Sequence, residues 1–204
     1  MNTLLESPIA AADGETGRVR DFLFDDQSWQ VRYVVVDLGN WLRRRDVVVP
    51  VSALDHPDWK GKRCRTCLTV AALRNCPDVD TRKPVSRQQE LAMREYFGPI
   101  ASWADARFAL TTIPAFVQYS PEEGEDSHLR SSCRLMGHLV WATDGNLGRL
   151  RGFLMDEGSW HVSELEVGAT DWQDLRIKLV PTKWVDRVSW AECRVYLHHA
   201  SVAV

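Results

Sequence analysis

Hydrophobic and polar positions along the chain fall into short runs of strand period, broken by turns that carry glycine or proline. Arg18 to Phe24 alternates polar and apolar residues imperfectly, and Trp29 to Val36 is dense in β-branched and aromatic side chains, so both stretches predict strands. Asp13-Gly14 ahead of them suits a hairpin turn, because glycine accepts the positive φ that such turns need. Gly17, three residues on, predicts a bulge or tight bend. A second turn is expected at Gly39-Asn40. It precedes a strand from Val47 to Val49, which ends at Pro50 because proline has no N–H for a ladder. Short strands at this spacing predict a small barrel or sandwich over a βαβ arrangement. Thr69 is placed to cap a one-turn helix, Val70 to Arg74.

The same punctuation returns 131 residues later. Asp13, Gly14, Gly17, Arg18, Arg20, Phe22, Leu23 and Asp25 fall on Asp144, Gly145, Gly148, Arg149, Arg151, Phe153, Leu154 and Asp156, with no gap. The register continues through Trp29/Trp160, Val31/Val162, Trp41/Trp172, Pro50/Pro181 and Trp59/Trp190, so recurring pairs take up six of the nine tryptophans. A duplicated module follows: module one over 1–75, a central segment over 76–133 and module two over 134–204. The central segment is too long for a plain loop. Its Ser86-to-Gln89 capping box after Pro84 predicts a helix near 86–97, stopped by Pro99. The acidic stretch Pro121 to Asp126 reads as an exposed link into module two.

Where the copies differ, they indicate separate roles. Module two has Glu164 and Glu166 around the apolar Leu165, which switches its inward parity within the strand, as a bulge would cause. Module one has Tyr33 and Val35 at those sites. They stand either for local variation or cover by the central segment, or for a contact surface that module one alone carries. Arg43, Arg44 and Arg45 beside Trp41 form the one basic cluster, where module two has Asp174, Leu175 and Arg176. Tryptophan with flanking arginine can grip an acidic protein surface or RNA; otherwise the cluster is a solvated turn. Tyr33, Val35, Trp41, Arg43, Arg44 and Arg45 are therefore the candidate partner-binding residues.

Composition bounds the rest. Hydrophobic residues at 45% and charged residues at 26% suit a chain with a real core. Twenty-five basic against 28 acidic residues give a net charge of -3, which disfavours bare nucleic acid as the main partner. No window approaches the roughly 20 apolar residues that cross a bilayer. The N-terminus reads as no signal peptide, and the odd count of five cysteines suits reduced thiols, so a cytoplasmic location is expected. Cys64 and Cys67 form a CxxC without a second pair or histidines at ligand spacing, and no metal is expected there. The repeated Arg18/Arg149, Arg20/Arg151 and Asp25/Asp156 predict a structural ion pair across a hairpin rather than a substrate clamp. His198-His199 reads as plain surface. Without a nucleophile elbow, a phosphate loop or an HExxH, the chain is read as no enzyme and as taking no cofactor.

Together these residues resemble the PRC-barrel family. The resemblance rests on the Asp-Gly-x-x-Gly-Arg opening that ends in Phe22-Leu23-Phe24-Asp25, the Trp29 to Asp37 strand with its Gly39-Asn40-Trp41 turn, and the Val47 to Pro50 exit. The Cys76 to Glu90 segment and the later Tyr96-Phe97-Gly98 look like the linker of stand-alone tandem members. The family takes its name from the cytoplasmic domain of the photosynthetic reaction-centre H subunit and includes the C-terminal domain of the ribosome maturation factor RimM. The resemblance implies a mainly β chain: two small PRC-type β-barrels in tandem with a partly helical central segment. It also implies a docking or assembly role toward a protein partner or a second copy of the chain, with no catalytic residues. A peripheral factor of a photosynthetic or electron-transport complex and a ribosome- or RNA-associated factor are the alternatives.

Changing Trp41 and Arg44 together to Ala is expected to weaken partner association by about 2 kcal/mol or more, as truncating a hot spot does, with the fold intact. Pull-down and sizing chromatography measure it; unchanged association returns these residues to the solvated turn.

Overall fold

The computed structural model describes residues 4–39, 45–55, 61, 63–76, 96, 129–156, 158–169 and 176–201. The chain is mainly β and carries two six-stranded sheets. The first contains β1 (Pro8–Ala11), β2 (Gly14–Asp25), β3 (Val31–Asp37), β4 (Asp46–Pro50), β5 (Cys64–Arg65) and β6 (Leu129–Ser131), with α1 (Val70–Asn75) after β5. A one-turn helix, α2 (Ser132–Leu135), leads from β6 into the second sheet. That sheet contains β7 (Leu139–Ala142), β8 (Gly145–Met155), β9 (Val162–Gly168), β10 (Ile177–Pro181), β11 (Val185–Ser189) and β12 (Arg194–Leu197). The predicted strands, the Asp13-Gly14 turn and the Thr69-capped helix of module one form where expected; the turn predicted at Gly39-Asn40, the helix near 86–97 and the acidic link reach or lie outside the described residues.

Each sheet rolls up because its ends meet in sequence. In module two the strand order is β10-β9-β8-β7-β12-β11, yet the outermost strands β10 and β11 are separated only by the 3-10 turn Thr182–Trp184. A three-residue connector cannot span a flat sheet, so the sheet must curl until β11 lies beside β10. In module one, Pro50 and the 3-10 turn Val51–Ala53 make the same corner, and the chain returns to β5 through the bridge between Leu54 and Thr66. Gly17 and Gly148 permit the tight bends in β2 and β8. Both have positive φ, and a Cβ would strike the carbonyl of Asp37 in one case and of Gly168 in the other.

The duplication extends to individual hydrogen bonds. Glu6 and Gly137 N–H groups donate to the carbonyls of Val19 and Leu150. Ala12 and Thr143 donate to Leu68 and His199, and the carboxylates of Asp13 and Asp144 accept from the N–H groups of Val70 and Ser201. The bulge expected from the parity switch is present in both copies. Leu154 pairs with Glu164 but Met155 with Val162, leaving Ser163 as the extra residue, and Arg32 is its counterpart in β3.

The modules meet about a local two-fold. Gln30 and His161 form an antiparallel bridge, flanked by two reciprocal bonds of 2.9 Å: Val31 N–H to the Trp160 carbonyl and Val162 N–H to the Trp29 carbonyl. Phe24, stacked on Trp29 at 5.4 Å, also touches Phe153 of module two. The buried apolar residues of the two sheets accordingly form one continuous core.

One attachment has no symmetric counterpart. β6 adds to the edge of β2 along Leu23, Phe24 and Asp25, and beside it Asp21 sits buried in module one. Its carboxylate accepts hydrogen bonds from the hydroxyls of Ser131 and Ser132 and from the N–H groups of Phe22 and Cys133. Module two has Gly152 at this position. Asp21→Ala leaves these donors without a buried acceptor, and the expected loss of stability is about 2–4 kcal/mol. Urea denaturation measures it, with Asp25→Ala at a half-buried turn as the milder comparison.

Candidate functional site

The antiparallel registers place residues of adjacent strands on common rows. In module one, Leu23, Tyr33 and Pro50 form one row on the outward side, and Asp21, Val35 and Val48 the next. Tyr33 and Val35 are buried, the latter completely, as is Val48. The expectation that Tyr33 and Val35 offer a contact surface is therefore corrected: they belong to the core. A strand whose residues Tyr33 to Val36 are apolar without interruption is buried on both faces, and that unbroken run was the available signal. Of the remaining candidates, Arg45 is exposed and its carbonyl accepts from Leu38 N–H at 2.8 Å, while Trp41, Arg43 and Arg44 lie outside the described residues.

The same rows in module two read Leu154, Glu164, Pro181 and Gly152, Glu166, Leu179. Here the glutamates are half-buried, Leu179 is 46% exposed and Ile177, on the next row, is 57% exposed. Nothing at Gly152 can replace the Asp21 carboxylate that fastens α2 to module one. An apolar strip flanked by acids is thus open in one copy and buried in the other.

Arg18, Arg149 and Asp25 find their partners elsewhere than in one another, which corrects the expected ion pair for these residues. Arg18 Nη1 donates to the Glu6 carbonyl and Arg149 Nη1 to the Gly137 carbonyl, each at 3.0 Å. Asp25 accepts from the N–H groups of Gln27 and Ser28 and pairs with Arg32 at 2.9 Å. A cleft of about 340 Å³ in module one is lined by Arg18, Arg20, Glu6, Glu15 and Asp37. Its arginines are already engaged, Arg20 lying 3.8 Å from the Glu6 carboxylate. The CxxC does not converge: Cys64 is buried, with its thiol pushed up to about 11 by burial, and Cys67 is exposed. Among the described residues no three His, Cys, Asp or Glu side chains gather as metal ligands. No described helix is long and apolar enough to cross a membrane.

At the junction between modules, Asp26 accepts from Arg130 Nε at 3.1 Å and from Trp190 Nε1 at 3.0 Å, and the Arg130 guanidinium lies 5.4 Å from the Trp190 ring centre. His138 makes an edge contact with the same ring at 5.4 Å, with its Nε2 buried and unpartnered. His199, read as plain surface, instead stacks on Trp184 at 4.6 Å.

Two rolled six-stranded sheets, fused through their cores and bearing distinct outer surfaces, define a tandem pair of small β-barrels. Residues 2–62 match the family model described as PRC-barrel domain, and the expected resemblance holds over that stretch. Module two shares with module one the order of five strands and several of the hydrogen bonds. No curated protein matches the chain.

Burial, and secondarily Arg134, holds the His138 pKa below the usual histidine value. As pH falls through about 6.5 the unfolded chain takes up the proton and the folded one does not, so stability contributed by neutral His138 is full above that pH and declines below it. His138→Phe, which keeps a ring against Trp190, is expected to remove this part of the slope in denaturation midpoints measured from pH 8 to pH 5.

Proposed function

We propose that the chain is a non-catalytic docking and assembly protein that binds a protein partner, or a second copy of itself, through the open outer face of module two. The observation that carries this reading is the exposure of Ile177 and Leu179 on rows whose module-one counterparts are Asp46 and the fully buried Val48. What module one covers within the chain, module two leaves for another molecule to cover. An exposed apolar strip rimmed by Glu164 and Glu166 is the form such contact surfaces take, with an apolar centre and a polar edge. Trp41, Arg43, Arg44 and Arg45 of module one are a second proposed contact, tested by the Trp41 and Arg44 double variant above.

Co-purification from the native cell, together with sizing chromatography of the pure chain, tests the reading. Wild type is expected to retain a protein partner or to elute as a dimer, and Ile177→Ser/Leu179→Ser to lose that association by at least about 2 kcal/mol while its fold is unchanged. Recovery of ribosomal proteins would select the ribosome-associated alternative, and recovery of pigment–protein complexes the photosynthetic one. Association that is equal in wild type and variant would remove the face from consideration.

A further inference from the structure

Module two carries another outward surface, on the strands at the opposite end of its sheet. On β7, Val140 and Ala142 turn into the core and Trp141 outward; on β12, Val195 and Leu197 turn inward and Arg194 and Tyr196 outward. Parallel pairing sets Tyr196 beside Trp141, and antiparallel pairing sets Arg187 of β11 beside Tyr196. The arginines lie on the rings. Arg194 is 5.0 Å from the Trp141 ring centre and Arg187 is 4.4 Å from that of Tyr196. Arg194 Nη1 also donates to the Tyr196 hydroxyl at 3.4 Å, and that hydroxyl donates to Glu192 at 2.7 Å. Arg149 of β8, exposed opposite Leu139, adds a third positive charge at the margin, with its Nη1 held by the Gly137 carbonyl.

The shared backbone does not require this arrangement. Module one has Ala10 and Arg65 where module two has Trp141 and Tyr196, and Arg63, in the place of Arg194, pairs with Glu15 at 3.7 Å.

We propose that this face binds an acidic peptide segment of a partner protein, a reading that rests on the docking role above. Three arginines stand against one glutamate on a chain whose net charge is -3, so the face is a local cation on an anionic protein. A guanidinium laid on a ring is held in position while its N–H groups remain available, and it meets a carboxylate through paired hydrogen bonds. The same stacking disfavours nucleic acid, because arginine occupies the ring faces on which bases would stack, and Glu192 lies in the path of a continuous phosphate backbone. A peptide can seat its carboxylates between the arginines and set a neutral residue beside Glu192.

A random dodecapeptide library displayed on phage, selected against the immobilised full-length chain, supplies the probe, and recovered peptides are titrated by fluorescence anisotropy at two salt concentrations. Selection is expected to enrich peptides rich in Asp and Glu. Their binding should fall at least tenfold in Arg187→Glu/Arg194→Glu, weaken with salt, and be unchanged in Ile177→Ser/Leu179→Ser. If the double reversal does not fold, Arg187→Gln at its exposed position reads the same loss at about threefold. Enrichment of basic or uncharged peptides, no enrichment, equal binding by the arginine variants, or tighter binding of an oligouridylate than of the acidic peptide each overturns the proposal. The docking role fails separately, when native co-purification and sizing yield neither partner nor dimer whatever peptides are selected.

Discussion

The two carbonyl groups of Trp29 and Trp160 hold the architecture together. Both residues have left-handed backbone conformations, φ +58° and +56°, which a bulky side chain adopts at a cost of about 1–2 kcal/mol. That conformation points each carbonyl at the other module, where it receives the N–H of Val162 or Val31. The cost is offset locally. The Trp29 ring stacks on Phe24, the Trp29 backbone N–H donates to the Asp25 carbonyl, and the Asp25 carboxylate closes the turn that precedes it. With the turns so fixed, Phe24 reaches Phe153 and the two sheets share a core rather than sitting as beads on a string.

Against this symmetric frame, one substitution accounts for much of the asymmetry. A carboxylate at Asp21 gives module one a buried anchor for the segment that leads into module two, and the neighbouring rows through Leu23, Tyr33 and Val35 are closed to water. Glycine at position 152 offers no such anchor, and the corresponding rows carry Glu164, Glu166 and the exposed Leu179. A buried charge and its partners thus separate a structural copy from one with a surface to spare.

Strand positions, turn residues and the duplication were legible in the sequence because each depends on local chemistry: glycine for positive φ, proline for a strand's end, β-branched runs for the strands. The bulge near Ser163 was legible from parity alone. The fate of Tyr33 and Val35 was not, since their burial depends on cover from residues distant in the chain, although the unbroken Tyr33 to Val36 run pointed to it. Arg18 and Arg149 were expected in an ion pair, but their partners are backbone carbonyls at residues 6 and 137, which no side-chain pattern could reveal. The Trp141, Tyr196 and Arg194 surface escaped for a similar reason. It assembles from strands brought together by a parallel pairing, and alternation within one strand does not predict its neighbour across the sheet.

The Asp21 anchor also sets an order of events during synthesis. Its hydroxyl partners Ser131 and Ser132 lie 110 and 111 residues further along the chain. At a translation rate of about 5–20 residues per second, β2 emerges from the ribosome roughly 5–20 s before the segment that closes its edge. Through that interval β2 presents bare backbone at Leu23 to Asp25 and, beside it, a carboxylate lacking the donors of Ser131, Ser132 and Cys133, an edge open to pairing with any nascent strand nearby. The N-terminal module is thus completed by the end of the central segment, and a ribosome pausing within that segment would leave it waiting.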